Sequence, residues 1–158
     1  EKLKKAKPNI QFSSDFIIAY PGETNEDFIK TLKLMNNIKY INSYSFIFSA
    51  RPGTPAFNLK RINQSEAKKR LMDFQYVAKK IKTNYRKKLI NKYSYVLFEN
   101  KLINQNKYFG RDEFFNSVIV ESKNDLTGKI KKIKLLKGNH NTLFGEVCSD
   151  ENQKNYAA

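Results

Sequence analysis

Asp15-Phe16-Ile17-Ile18-Ala19-Tyr20, closed by Pro21-Gly22 and followed by Glu23-Thr24, decides the fold. The run is short and nearly all apolar, which predicts a parallel strand buried on both faces. Pro21-Gly22 stops it. Thr24 stands three residues before Asp27, a close relative of the capping box, and Glu26 adds a second acid to the first turn. Phe28, Leu32, Met35 and Ile38 then recur at helical spacing, and Asn36-Asn37 weakens the far end. Beyond it, Tyr44, Phe46 and Phe48 alternate with Ser45 and Ile47 as a second strand. Strand, helix and strand at these lengths predict a right-handed βαβ unit of a parallel α/β fold.

Arg51-Pro52-Gly53-Thr54-Pro55-Ala56 follows that second strand as a stiff loop, with φ fixed by two prolines. From about Gln64 to Ile90 a long helix is predicted. Leu71, Phe74, Val77, Ala78, Ile81 and Tyr85 form its apolar face, and Ser65 is its candidate cap. Lys68, Lys69, Arg70, Lys79, Lys80, Lys82, Arg86, Lys87 and Lys88 form the other face. After Asn91 the pattern changes to short strands: Tyr93–Glu99, Lys107–Phe109, Ser117–Glu121, Lys129–Leu135 and Thr142–Val147. Turn signals separate them at Asn104–Asn106, Lys123-Asn124-Asp125 and Lys137-Gly138-Asn139. Five strands so spaced predict a small OB-like all-β barrel. The expected organisation is an α/β piece over 1–91, a barrel over 92–148 and a polar, flexible tail over 149–158. Two parallel strands leave sheet edges and faces uncovered, and the chain opens on Glu1 rather than Met. Both features lead us to expect a fragment of something longer.

The 158 residues carry a formal charge of +15. Residues 60–107 hold fourteen Lys/Arg against three acids, so +11 of that charge lies in the middle of the chain. Lys outnumbers Arg 25 to 5, which suggests a compositional bias of the genome, but such a bias raises Lys everywhere and does not by itself concentrate it. A dense basic stripe attracts polyanions and gains affinity by releasing their counterions, so nucleic acid is the expected partner. No apolar run reaches the ~18 residues of a membrane span, and the first residues lack the apolar core of a signal peptide. A soluble, cytoplasmic protein is expected, monomeric and without a membrane partner. One cysteine, Cys148, and one histidine, His140, exclude a disulfide framework, a three-cysteine cluster site and a histidine-based metal site within these residues.

No self-contained active site is visible. Asp15 and Glu23 lie near a strand's carboxyl end, where α/β folds place ligands, yet a turn hydrogen bond and a helix N-terminal charge account for them as well. Ser13-Ser14 has no histidine near it. His140 falls in a turn, and Cys148 reads as a small buried apolar residue or as simply exposed. Arg51, braced by Pro52 at a strand end, suits either an anion or a structural salt bridge.

The stretch Ser14 to Thr24 with Glu26-Asp27-Phe28 resembles a segment of the radical-SAM methylthiotransferases. So does Tyr44-Ser45-Phe46 through Phe48-Ser49-Ala50-Arg51-Pro52-Gly53-Thr54-Pro55-Ala56. Gly110-Arg111, Asn116 and Val118, with Gly128-Lys129 and Leu143-Phe144-Gly145, more loosely resemble the TRAM domain that closes these enzymes. The resemblance implies a late part of a radical-SAM parallel barrel followed by TRAM. In that family 4Fe-4S clusters and S-adenosylmethionine insert sulfur and methyl into an unreactive carbon. The cluster ligands of the family are absent from these residues, so no catalytic or metal residue is expected here and the fragment alone should not turn over. Ala19, Tyr20, Pro21, Gly22, Phe48, Ser49 and Arg51 are expected to line part of the S-adenosylmethionine pocket. Lys79, Arg86 and Lys87 of the basic helix, with Arg111, Asn116 and Lys129 of the barrel, are expected to grip RNA. The chain departs from the family in two places, Ala19 for a Gly and Ala50 for a Pro, and both should be tolerated.

Two branches fit the resemblance. One methylthiolates an isopentenylated adenosine beside the tRNA anticodon, and the other modifies an aspartate of a ribosomal protein. The second substrate is itself basic and would be repelled by the +11 stretch, so the tRNA branch and an anticodon stem-loop partner are expected. A non-catalytic RNA-binding fragment is the alternative from another class.

Overall fold

The computed structural model describes residues 2–148 and forms two compact units, which meet in sequence at Tyr85 and Arg86. The tail expected over 149–158 lies outside the described residues. In the first unit a short helix α1 (Lys2–Ala6) precedes β1 (Ser13–Ile18), α2 (Asn25–Ile38) and β2 (Asn42–Ile47). A single 3-10 turn, Pro55–Asn58, then leads to α3 (Gln64–Lys87). Neither α1 nor the 3-10 turn has a signal in the pattern of apolar residues.

β1 and β2 pair in parallel, Ser13 opposite Asn42 through Ile18 opposite Ile47. The helix between them makes this the expected βαβ unit. Phe28, Met35, Ala67, Phe74, Ile18 and Ala19 form the buried centre, with Phe16, Leu32, Ile47, Leu71, Val77, Ala78 and Ile81 packed around them. One expectation fails here. β1 is not buried on both faces, because Asp15, Tyr44 and Phe46 are exposed and Ile17 is 61% exposed. Residues two apart on a strand share a face, and in this unit helices pack only on the face of Phe16 and Ile18. The radical-SAM barrel itself is not seen among the described residues, which hold one two-stranded parallel sheet in this unit.

The caps are local chemistry. Thr24 Oγ1 accepts from the Asp27 N–H at 3.2 Å, and Asp27 Oδ2 accepts from the Thr24 N–H at 3.2 Å and its hydroxyl at 2.7 Å. These bonds to Thr24, the hydroxyl first, hold the Asp27 carboxyl below its ordinary pKa. A group lowered in this way contributes stability above its unfolded pKa and loses it as pH falls through the folded one. The α2 helical signal at 222 nm should therefore weaken on acidification below about pH 4. Asp27→Asn should flatten that dependence, and a variant as acid-sensitive as the parent would refute the role of this cap.

α3 differs from expectation in three ways. Asn63, not Ser65, caps it: its Oδ1 accepts from the Ser65 N–H at 2.8 Å and the Ser65 hydroxyl at 2.7 Å. The helix ends at Lys87 rather than Ile90, because the next residues form turns (Leu89 N–H to Arg86 O, 3.0 Å) and Asn91 N–H joins Leu135 O at 2.7 Å. Arg70 is not on the solvent-facing basic side. It is buried, for a reason given below.

The second unit is a closed barrel of five strands in the order β3-β4-β5-β7-β6. Its strands are β3 (Tyr93–Lys101), β4 (Lys107–Asp112), β5 (Ser117–Glu121), β6 (Ile130–Gly138) and β7 (Leu143–Val147). All pairs are antiparallel except β5 with β7. All five expected strands are present, but β4 runs past Phe109 to Asp112, and β6 runs past Leu135 to Gly138, through the first two residues of the expected turn signal Lys137-Gly138-Asn139. Val96, Phe98, Tyr108, Val118, Val120, Leu126, Ile133, Leu135 and Leu143 fill the interior, with Leu89 and Ile90 packed against them. Closure leaves no open edge for another chain to pair with.

Candidate functional site

Two similar turns end the two parallel strands. Glu23 N–H reaches Tyr20 O at 2.9 Å across Pro21-Gly22, and Thr54 N–H reaches Arg51 O at 3.3 Å across Pro52-Gly53. Gly22 has φ +88° and Gly53 φ +81°, so each turn has Pro second and a positive-φ glycine third, the requirement of a type II turn. A third bond, Phe48 N–H to Ile18 O at 2.8 Å, holds the strand ends side by side. Tyr20 and Phe48 then meet edge to face, with ring centroids 5.0 Å apart.

The residues expected to line a cofactor pocket thus fall into one neighbourhood at the carboxyl ends of β1 and β2. Tyr20, Gly22, Ser49 and Arg51 are exposed, Phe48 is half-buried, and Ala19 and Pro21 are buried. Among the described residues Arg51 forms no ion pair. Asp15 stays on the exposed sheet face and takes no part in the turn.

Glu23 has a role that its position in the sequence did not reveal. Its Oε2 accepts from the Ala19 N–H at 3.1 Å and its Oε1 from Arg70 Nη1 at 2.6 Å. Arg70 also donates to the Glu23 carbonyl at 3.1 Å and, through Nε, to Glu66 at 3.0 Å. The two side chains of the pair are only 8% and 11% exposed, and the guanidinium lies 5.6 Å from the Phe28 ring centroid. Burial opposes the charge of Arg70, but the bonds to Glu23 and Glu66 win and raise its pKa. The pair ties the Tyr20–Glu23 turn to α3. A spacing of 47 residues gives no local signal for such a contact.

Ala19 sits at φ +60°, in the left-handed region that costs an L-residue about 1–2 kcal/mol. The expectation that alanine is tolerated in place of glycine therefore carries a conformational cost. Ala19→Gly should stabilise the first unit by about 1 kcal/mol, reduced in part by the greater freedom of glycine in the unfolded chain. Urea unfolding would test this, and a less stable variant would overturn it.

On the barrel, Arg111 is exposed. It donates Nε to Glu99 at 2.9 Å and lies 5.5 Å from the Phe109 ring centroid. Lys129 is exposed, with Nζ on the Asp125 carbonyl at 2.8 Å; Lys79 and Lys87 are exposed on α3. Two expected RNA contacts are corrected. Arg86 is 4% exposed and donates to the Asn139 carbonyl at 3.3 Å, so its guanidinium serves the packing of the barrel unit. Asn116, 2% exposed, is locked to Asp112: Nδ2 donates to Oδ2 at 2.9 Å and its backbone N–H to Oδ1 at 2.8 Å. Asp112 also takes the Phe114 N–H at 2.9 Å, so this pair shapes the β4–β5 turn rather than reading a ligand.

No family model matches the chain. Curated relatives do. Over 157 residues, 98% of this chain, it is 44% identical to the tRNA-2-methylthio-N(6)-dimethylallyladenosine synthase of Pelagibacter ubique. It is 38% identical over 92% of its length to the synthase of that name from Wolbachia pipientis subsp. Culex pipiens, and 38% identical over 96% to that from Photorhabdus laumondii. The chain belongs to the methylthiotransferase family. It spans about a third of the length of these relatives and corresponds to their C-terminal part.

The residues present fit the family's cofactors unequally. Exposed Ile17, Tyr44 and Phe46 on one sheet face, with Tyr20 and the strand-end backbone at the carboxyl ends of the strands, suit an adenosyl group, which needs apolar walls and main-chain donors and acceptors. A 4Fe-4S cluster does not fit these residues. The sequence has one cysteine, half-buried Cys148, and the described residues contain no group of three His, Cys, Asp or Glu that would hold a metal. Among them, too, no helix is long and apolar enough to cross a membrane.

Proposed function

We propose that this chain is the C-terminal part of a cytoplasmic radical-SAM enzyme that adds a methylthio group to isopentenylated adenosine beside the anticodon of tRNA. The observation that carries the reading is the 44% identity over 98% of the chain to a synthase of that name. In this reading residues 1–91 complete a radical-SAM barrel and 92–148 form its TRAM domain. The strand-end segments Ala19–Gly22 and Phe48–Arg51 form one wall of the S-adenosylmethionine pocket. These residues would hold S-adenosylmethionine, which would supply adenosyl-radical chemistry once reduced by a cluster held elsewhere in the enzyme and, from a further molecule, a methyl group. The chain's own residues bind and orient: Tyr20 and Phe48 present apolar edges to the adenosyl group, Gly22 keeps the turn free of a side chain, and Arg51 offers a cation without an ion-pair partner among the described residues. Lys79, Lys87, Arg111 and Lys129 are exposed cations suited to phosphates of an anticodon stem-loop.

The test is a segment exchange. This chain replaces the matching third of the Pelagibacter ubique synthase, and methylthiolated nucleosides of cellular tRNA are measured by mass spectrometry. A hybrid that restores the modification supports the reading. A folded, cluster-loaded hybrid that makes none, while binding S-adenosylmethionine normally, would sink it.

A further inference from the structure

The register of the barrel places two tyrosines and two lysines on one outward face. Tyr93, Tyr95 and Leu97 alternate along β3 with the buried Val96 and Phe98. Opposite them, Lys134 pairs with Tyr93, Lys132 with Tyr95 and Ile130 with Leu97. Cross-strand partners share a face, so these six side chains form one patch. Tyr93 is 58% exposed and Tyr95 55%, although each ring could bury a large apolar area if it were covered. The Lys132 ammonium lies over the Tyr93 ring, 5.0 Å from its centroid, which braces the ring and sets a cation against one of its faces. Among the described residues neither Lys132 nor Lys134 is held in an ion pair, although Glu146 stands opposite Lys134 on β7.

We propose that this β3–β6 face binds unpaired nucleotides, with bases stacking on Tyr93 and Tyr95 and the intervening phosphates held by Lys132 and Lys134. The proposal rests on the RNA-binding reading above and adds a subsite and a strandedness to it. Three observations favour an RNA single strand over other occupants. Exposed aromatic rings interleaved with cations are what a single strand needs, since every base offers a π-face and every linkage a negative charge. A duplex hides its base faces and would leave the tyrosines unused. Residues two apart on a strand are about 6.7 Å apart along the backbone, close to twice the 3.4 Å stacking rise of bases, so the strand spacing matches that of alternate bases.

The experiment uses the whole 158-residue chain and a fluorescein-labelled 12-nucleotide RNA of mixed sequence, alone or annealed to its complement, titrated across a salt series. The single strand should bind at least tenfold more tightly than the duplex. Tyr93→Ala with Tyr95→Ala should weaken single-strand binding tenfold or more without changing the salt slope. Tyr93→Phe with Tyr95→Phe should bind as the parent does. Lys132→Ala with Lys134→Ala should make the salt slope shallower by about two. Circular dichroism would establish that each variant is folded.

Parental binding that survives Tyr93→Ala/Tyr95→Ala within twofold overturns the stacking subsite while leaving the RNA reading intact. Equal affinity for duplex overturns the strandedness. No binding of either RNA by the folded parent at low salt overturns the RNA-binding reading, and the subsite with it. A parent that sediments as a dimer and becomes monomeric on tyrosine substitution assigns the face to self-association instead, which also overturns the proposal.

Discussion

Arg70→Ala should destabilise the first unit by about 3–5 kcal/mol, because it strands the Glu23 carboxylate in a buried site with only the Ala19 N–H as a close partner. An exposed ion pair gives less than about 1 kcal/mol. Lys69 and Asp73, an exposed pair 3.9 Å apart on the same helix, provide that comparison, so Lys69→Ala should be nearly silent. Replacing both partners, as Glu23→Gln with Arg70→Met, should recover at least half of the loss. Glutamine still accepts from Ala19, and methionine fills the space beside Phe28 without a charge. Urea unfolding followed by circular dichroism reads all four proteins. An Arg70→Ala loss under about 1 kcal/mol would mean that the pair only decorates the turn. In the proposed function this pair fixes the Tyr20–Glu23 turn, so the same variant should also weaken S-adenosylmethionine binding in the exchanged synthase.

Gly145→Ala should cost the barrel about 3 kcal/mol or more, most of the stability available to a unit of this size. A Cβ at Gly145 would run into the Lys134 carbonyl oxygen and stand 2.6 Å from Ile133 Cγ2. That carbonyl belongs to the sheet, where it cannot retreat without breaking the ladder. Gly110 repeats the situation on the other side of the barrel, where a Cβ would strike the Leu97 carbonyl. Each glycine faces the residue just before a register shift: Phe98 before the Phe98/Asn100 irregularity, and Leu135 before the Leu135/Lys137 one. The strands bend there to close the barrel, and close backbone approach at a bend excludes a side chain. Gly138 is the control. A Cβ there would meet Leu143 Cδ2, the movable end of a side chain, at 2.7 Å, so Gly138→Ala should cost far less. Thermal melts that rank the two variants equally would remove the argument from closure.

Much of this was legible in the residues. Thr24 and Asp27 mark a helix start because the cap is made within four residues. Pro21-Gly22 and Pro52-Gly53 mark turns because the φ of proline and glycine is set by covalent structure. The five barrel strands were found because an apolar residue at every second position has only one way to fill an interior. The strand-end neighbourhood was legible through the order βαβ, since parallel strands bring their carboxyl ends to the same side.

What failed has a common cause. Arg70 and Arg86 read as solvated members of a basic helix face, yet both are buried, Arg70 on Glu23 and Arg86 on Asn139. Asn116 read as an RNA contact and instead completes a turn with Asp112. In each case the residue type fits either role, and the partner that decides is placed by the fold, for the arginines about fifty residues away. β1 read as buried on both faces because an apolar run does not say how many layers cover it. The tyrosine and lysine face carries no local signature either, since Tyr93 and Tyr95 meet Lys132 and Lys134 only through the register of β3 with β6. The sequence alone therefore determined the main strands, helices and turns, α1 and the 3-10 turn excepted, as these depend on neighbours along the chain. The tertiary structure decided which charges are buried, which apolar face stays open and which side chains share a surface. Those outcomes depend on the free energy of groups that the chain brings together only when it folds.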